Sequence, residues 1–259
     1  MELIFLGTGT STGVPSLCCD CSVCQSDHSK NKRLRSSVML RNGDYRLLVD
    51  TSTDLRQQCL MNDIRRIDAV LYTHHHADHV HGIDELRSFN FFNKTTTPCY
   101  GSAETLKDIR TKFNYIFDPN TQVGGGLPKL TLNEIDYNEF NLGGISVTPL
   151  EVMHGRLTIT AYRFDDIAYV TDCSGIPEST REKLLGLDLL IINALGFEPH
   201  ATHFCLSQAL EAIEDLKPRR ALLTHINHKF DHDKLNAELP ENVELAYDGL
   251  RIPVSSLVS

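Results

Sequence analysis

Five metal-competent side chains fall within six residues of the stretch Thr73-His74-His75-His76-Ala77-Asp78-His79, and four of them can serve two centres. Imidazoles at the alternate positions His74 and His76 can aim at one centre. Asp78 and His79 can turn toward a second centre a few ångströms away. The preceding run, Asp68-Ala69-Val70-Leu71-Tyr72, reads as a buried strand that ends in a loop, so these ligands directly follow a rigid element. A fortuitous His-rich surface turn would need nothing else from the chain. A two-centre metal site would, because one loop cannot close it.

Three further residues meet that need by type and place. His154 follows the strand candidate 145–152, Asp172 follows Ile167-Ala168-Tyr169-Val170-Thr171, and His225 follows Ala221-Leu222-Leu223-Thr224. Each alone reads as an ordinary residue at a strand end. Together with the His-rich loop they form a set. A second cluster, Cys18-Cys19-Asp20-Cys21-Ser22-Val23-Cys24, can place three thiolates on one tetrahedral ion. Cys18 and Cys19 both have workable spacing with Cys21 and Cys24. The remaining cysteines, Cys59, Cys99, Cys173 and Cys205, stand singly in apolar or helical surroundings and read as buried thiols. His200 and His203 precede a helix and can simply line a loop. A histidine there is also suited to protonating a departing alkoxide near neutral pH.

The elements that must position these groups alternate in kind. Residues 2–6 form a strand, and 36–40 with 45–50 read as a hairpin around Arg41-Asn42-Gly43-Asp44, ending in the carboxylate Asp50. Helices are expected at 54–61, 82–89, 102–117 with Ser102 as cap, 177–185, and 207–216 with Ser207 as cap. Strands are expected at 68–73, 130–135, 138–141, 145–152, 157–164, 167–171, 188–193 and 220–224. The Gly- and Pro-rich interval 118–129 is a candidate lid or link between halves. Mixed strands and hairpins followed by β/α units, twice over, predict an α/β (α+β) fold with two packed sheets and helices outside. The run Gly7-Thr8-Gly9-Thr10-Ser11-Thr12-Gly13 has the wrong spacing for a dinucleotide fingerprint, and Val14-Pro15 stands where a helix should begin. It reads as a turn whose backbone N–H groups can face the site.

Composition narrows the partners. The chain has 259 residues, room for one large α/β domain or two ordinary ones, and its charge balance of 25 Lys+Arg against 34 Asp+Glu gives −9. An acidic surface repels polyanions, so no long nucleic acid is expected, whereas a small phosphate ester beside cations remains suitable. The N-terminus reads directly as a strand and no apolar run approaches the length of a membrane span. A cytoplasmic location, thiols or metal ligands rather than disulfides, and no membrane partner are the resulting expectations. Two-fold association is common among soluble enzymes, so a homodimer is left open with no segment identifying its interface.

The series His74-x-His76-x-Asp78-His79, His154, Asp172 and His225 resembles that of the metallo-β-lactamase-fold hydrolases, and the likeness runs from residue 2 to about 252. It implies a single domain over residues 1–259, built as a four-layer αββα sandwich of two mixed sheets. It further implies that His74, His76 and His154 hold one metal, that Asp78, His79 and His225 hold another, and that Asp172 bridges them. His75 then faces elsewhere, and His81 is a supporting or structural residue. Cys19-Asp20-Cys21-Ser22-Val23-Cys24, Thr171–Glu178, Thr202-His203-Phe204 and Leu223–His228 resemble the phosphonate-pathway cyclic phosphodiesterase (PhnP-like) family. That likeness implies a structural Zn²⁺ on Cys19, Cys21, Cys24 and His228, within a loop at about 17–30, and catalytic roles for His203, Asp172 and Asp78. The implied cofactors are two divalent ions, Mn²⁺ or Zn²⁺ with Fe²⁺ also suited to His/Asp ligands. The implied substrate is a small phosphodiester such as phosphoribosyl 1,2-cyclic phosphate or a 2′,3′-cyclic nucleotide. A tRNA 3′-processing nuclease, a pyrroloquinoline-quinone-associated hydrolase and a non-enzymatic metal-binding protein are the competing readings.

Overall fold

The computed structural model describes residues 1–122 and 124–254. Its strands are β1 (Glu2–Gly7), β2 (Ser37–Asn42), β3 (Tyr45–Val49), β4 (Ala69–Leu71), β5 (Thr97–Gly101) and β6 (Leu130–Glu134). They continue with β7 (Phe140–Leu142), β8 (Ile145–His154), β9 (Leu157–Phe164) and β10 (Ile167–Val170). The last are β11 (Leu189–Asn193), β12 (Arg220–Thr224), β13 (Val243–Leu245) and β14 (Arg251–Pro253). One sheet runs β14-β1-β2-β3-β4-β5-β6 and the other β13-β12-β11-β10-β9-β8-β7. Each is mixed: β3 to β6 and β10 to β13 pair in parallel, while β14, β1 and β2, like β7 to β9, pair antiparallel.

The apolar runs are continuous because both faces of each sheet are covered. Side chains alternate across a strand. Leu3, Phe5, Leu47 and Val49 therefore face the second sheet, where they pack with Tyr162, Tyr169, Ile191 and Leu222. Their neighbours Ile4, Leu6 and Leu48 face outward onto Leu55, Leu86, Leu106 and Ile109. Those residues belong to the helices α1 (Leu55–Met61), α2 (Leu86–Asn93) and α3 (Ala103–Lys112). On the far side Val170, Leu190, Ile192 and Leu223 meet Ala209, Ala212, Ile213 and Leu216. This i, i+3, i+4, i+7 stripe is the buried face of α4 (Leu206–Leu216). The order is helix, sheet, sheet, helix, as expected for the αββα class.

The two sheets are stitched by polar bonds near one edge. The buried Tyr162 hydroxyl donates to the Tyr72 carbonyl at 2.8 Å, and Thr160 N–H donates to the Thr73 carbonyl at 2.9 Å. Both bonds hold the start of the His-rich loop to the opposite sheet.

Several boundaries differ from expectation. The helix from Ser102 stops at Lys112, where Phe113 leaves helical geometry, and Asn114–Phe117 forms a separate turn. Ser102 does cap α3 by accepting from Thr105 N–H. Helix α4 begins one residue early: Gln208 Oε1 accepts from Cys205 N–H, and Ser207 lies inside the first turn. The 82–89 helix is a short 3₁₀ turn, Ile83–Glu85, leading into α2, and 177–185 splits into Glu178–Arg181 and Glu182–Leu184. The 118–129 interval, of which residue 123 lies outside the described residues, is not the link between the two halves. Lys129 N–H donates to Asn90 Oδ1 of α2, and the chain crosses between sheets later, between β6 and β7. Strands β5, β13 and β14 are additional; β5 contains Pro98 and Gly101, which weaken its strand signal.

Gly82 shows how closely the site loop is seated. A Cβ there would run into the Ser52 carbonyl oxygen and crowd Leu55 Cβ at 2.8 Å. Gly82→Ala should lower unfolding stability by about 1–3 kcal/mol, the usual cost of overpacking a dense interior. An unchanged denaturation midpoint would refute that close approach.

Candidate metal-dependent active site

Five strand ends meet at the stitched edge. Strand β3 leads to Asp50, β4 to the loop Thr73–His79, β8 ends in His154, β10 leads to Asp172, and β12 to His225. Asp50, Asp172 and His225 adopt positive φ values of 64°, 56° and 54°. A left-handed residue with a side chain is unfavourable, and such conformations concentrate at functional sites. Here each one turns the chain sharply as it leaves its strand.

The turns converge on one atom. Asp172 Oδ2 lies 3.2 Å from His225 Nε2, 3.3 Å from His203 Nε2, 3.4 Å from His79 Nε2 and 3.9 Å from His74 Nε2. Candidate ligand atoms group as His74, His76 and His154, and as Asp78, His79, Asp172 and His225, each set within 4.8 Å. The structure thus brings together every residue of the expected series. It leaves out His75, whose Nε2 faces Asp108 at 3.4 Å and whose carbonyl accepts from Lys112 Nζ. His81 is exposed, with its ring against Phe113.

The histidines are oriented from behind. Asp50 is fully buried, and its carboxylate accepts from Thr73 N–H, Thr73 Oγ1 and His79 Nδ1, the last at 2.7 Å. With its proton given to Asp50, the Thr73 hydroxyl can only accept, so His74 donates through Nδ1 at 3.0 Å. His154 Nδ1 donates to the Thr202 carbonyl at 2.8 Å. In all three rings the Nε2 lone pair is left for the cluster. Outer partners that fix ring orientation and tautomer in this way are characteristic of metal-ligating histidines.

The electrostatics call for a positive centre. Burial opposes charge on Asp172, yet His225, His79 and His203 hold its pKa well below the ordinary carboxylate value. Burial likewise opposes charge on Asp78, where His79 and His225 keep the pKa low. Burial also resists an imidazolium at His79, but Asp172, Asp78 and Asp50 push its pKa well above the ordinary histidine value. His74 is held well below it by burial and by His79, so it stays neutral and able to donate a lone pair. His79 Nε2 and both ring nitrogens of His225 are buried without a hydrogen-bond partner among the described residues. Buried polar atoms are rarely left so. A divalent cation would take up His79 Nε2 and one ring nitrogen of His225 and offset the buried carboxylates, and the imidazole and carboxylate donors suit Zn²⁺, Mn²⁺ or Fe²⁺. The donor set fits.

Cys19, Cys21, Cys24 and His228 form a second cluster with ligand atoms within 4.8 Å. His228 Nδ1 lies 3.1 Å from Cys19 Sγ and 3.3 Å from Cys21 Sγ. The Cys24 amide and His228 lower the Cys21 thiol to about 6, while burial raises Cys24 to about 11. Cys18 is exposed and stands outside the group, whereas Cys19 is the cysteine brought close to Cys21, Cys24 and His228. His200 is more than a passive loop residue in its contacts: its Nδ1 lies 3.2 Å from both His203 Nδ1 and Thr202 Oγ1. Sequence reading did not place Asp50, Thr73 or Thr202 in the site. Only Asp50 left a signal, a carboxylate at a strand terminus.

The fold and these clusters define a class. The chain is a metallo-β-lactamase-fold hydrolase of the β-lactamase superfamily, whose domain model ("Beta-lactamase superfamily domain") matches residues 45–226. It shares 38% identity and a TM-score of 0.90 with the crystal structure of a new diphosphatase from the PhnP family, over 97% of each chain. That similarity places it in that family. An octanoyltransferase of Porphyromonas gingivalis is 37% identical over 256 residues, covering 96% of this chain but 51% of the relative, so the chain spans about half that protein's length. Zn²⁺-bound PqqB from Methylobacterium extorquens shares the fold, with 22% identity and a TM-score of 0.79 over 98% of this chain and all of that one.

Among the described residues, Asp50 meets the candidate ligands at His79 Nδ1, the nitrogen turned away from the cluster, so its loss should act through ring orientation. Asp50→Ala should weaken divalent-metal affinity about 10- to 100-fold, the usual effect of removing an outer partner. Competition with a chromogenic chelator measures it, and wild-type affinity in the variant would contradict the assignment.

Proposed function

We propose that this protein hydrolyses a small phosphodiester, most suitably a cyclic ribose phosphate, at a dinuclear divalent-metal centre held by His74, His76, His154, Asp78, His79, Asp172 and His225. The observation that carries this reading is the single carboxylate oxygen, Asp172 Oδ2, set within 3.9 Å of four imidazole nitrogens. Ions bound there would supply Lewis acidity, neutralising charge on the phosphoryl oxygens and acidifying a water.

The protein's own groups do the rest. Asp172 joins the two ligand sets and, with Asp78, keeps negative charge fixed where the ions belong. His203 is the general acid. A carboxylate can only accept, so the His203 Nε2 facing Asp172 carries the proton. In the imidazolium form that proton goes to the leaving oxygen as water's oxygen bonds to phosphorus and the ester P–O bond breaks, one proton of the water passes to solvent, and the products are a phosphomonoester and an alcohol. Burial lowers the His203 pKa and Asp172 partly offsets this, so the imidazolium is a stronger acid but a smaller share of the protein near neutral pH. Cys19, Cys21, Cys24 and His228 would hold a separate structural Zn²⁺ that pins the N-terminal loop beside His225.

Two features favour a small substrate over pre-tRNA. The formal charge of −9 opposes a polyanion. The interval from His154 to Asp172 is occupied by β9 and β10 with short turns, leaving no protruding arm. A diphosphate linkage is the second reading, favoured by the name of the 38% identical PhnP-family relative. Both readings share attack at phosphorus.

Purified protein with Mn²⁺ should turn over bis(p-nitrophenyl) phosphate and, among cyclic ribose phosphates, 2′,3′-cyclic nucleotides, nucleoside diphosphates and pre-tRNA, favour the cyclic esters. Asp172→Ala should lose turnover by orders of magnitude while keeping its circular dichroism; an active variant sinks the model. His203→Ala should lose about 10²- to 10⁴-fold on alkyl leaving groups, as for a general acid, but little on p-nitrophenyl esters, whose phenolate departs unprotonated. Elemental analysis should find about three metals per chain, and Cys21→Ser or Cys24→Ser should remove one zinc and lower the melting temperature while the other two ions stay.

A further inference from the structure

The segment after Asp172, Cys173-Ser174-Gly175, has no role in the chemistry assigned above, yet it is bonded to three walls of the site. Cys173 N–H donates to Asn193 Oδ1 at 2.6 Å, and the Cys173 carbonyl accepts from Phe204 N–H at 2.7 Å. The first bond ties the segment to β11 and the second to the loop that carries His203. Its other bonds go to the end of β8, where His154 stands.

Strand β8 needs a partner there. One edge pairs with β9 from Thr148 to His154. The other pairs with β7 over Ile145–Val147 only, so the residues just before His154 run past that neighbour. Met153 N–H donates to the Gly175 carbonyl at 2.8 Å, and the Met153 carbonyl accepts from Ser174 N–H at 2.7 Å, an isolated antiparallel bridge. The Ser174 hydroxyl carries this bridge past His154. Its Oγ donates to the same Met153 carbonyl at 3.1 Å and accepts from Gly155 N–H at 2.8 Å. A carbonyl oxygen has two lone pairs, and Ser174 takes both at Met153.

His154 is therefore gripped on either side by one serine. Gly155 has a left-handed φ of 62°, and a Cβ there would press on Thr202 Cγ2 at 2.8 Å, so the chain turns sharply just beyond the histidine. Holding Gly155 N–H fixes where that turn begins. The Thr202 carbonyl then holds His154 Nδ1 from outside, while Ser174 holds the backbone beneath the ring.

We propose that Ser174 is a positioning residue whose hydroxyl locks the turn bearing His154 to the turn bearing Asp172. The inference rests on the metal-ligand set assigned above. His154 belongs to the donor group of His74 and His76, and Asp172 to that of Asp78, His79 and His225. A side chain that joins their turns sets the spacing between the two groups.

Ser174→Ala deletes the hydroxyl but leaves the Ser174 N–H bond to Met153, and Ser174→Thr keeps the hydroxyl. With the cysteine-held zinc left in place, competition against a chromogenic chelator should show one of the two cluster ions bound about 10- to 100-fold more weakly in Ser174→Ala. The visible absorption of the Co²⁺-loaded protein should change in Ser174→Ala and return in Ser174→Thr. With the cluster emptied, the melting temperature of Ser174→Ala should match that of the wild type. Ser179→Ala, at an exposed position of the following helical turn, should alter none of these readings. Wild-type affinity and absorption in Ser174→Ala overturn the inference, and so does a Ser174→Thr protein as weak as Ser174→Ala. Equal weakening of both ions with a lowered melting temperature of the emptied protein assigns Ser174 to general stability and also overturns it. A wild type that holds fewer than two ions in the cluster overturns the dinuclear reading itself, and the inference falls with it.

Discussion

A carboxylate oxygen buried among four imidazole nitrogens is the constraint on which the remainder of the molecule turns. In an apolar sandwich the desolvation of Asp172 alone would be prohibitive. It is tolerable only if positive charge is delivered to the same place. The chain meets this demand by ending strand after strand at one edge and aiming every ring nitrogen at the centre. The sheets then serve as spacers whose task is to set where those strands stop.

Both sheets are needed for this. His74, His76, Asp78 and His79 come from the first, and His154, Asp172 and His225 from the second. The Tyr162–Tyr72 and Thr160–Thr73 bonds fix the seam beside the site. The left-handed conformations at Asp50, Asp172 and His225 show what the convergence costs locally. A β-branched residue would resist that geometry, whereas Asp and His tolerate it better than most. The same side-chain types that ligate are thus also suited to the backbone that presents them.

The cluster of candidate ligands was legible in the sequence because each strand that delivers one ends in a metal-competent residue, and an apolar run followed by such a residue is a local pattern. The supporting partners were not. Thr202 acts through its carbonyl on His154, which no residue type announces. Thr73 acts because its hydroxyl proton is committed to Asp50, a relation between positions 23 residues apart. The layer order followed from continuous apolar stretches, but β13 and β14 are three residues each and exist only because β12 and β1 give them a partner. Cys205 as the residue preceding α4 was missed because serine at 207 is the better cap by type, and position outweighed type.

The orientation of the histidines ties the site to closure of the sandwich. His79 and His74 are held by Asp50 and Thr73 of the first sheet, while His154 is held by a loop leading into α4 on the second. A cation bound by both ligand sets would therefore stabilise the contact between the sheets as well as the loops that touch it. Loss of the inter-sheet register would in turn spread the donors before any single ligand was removed. Ions that needed both halves of the donor set in place would add their binding free energy to the folding free energy. Such coupling would give a residue such as Asp50, which touches His79 from behind the cluster, a part in stability from its place deep in the core.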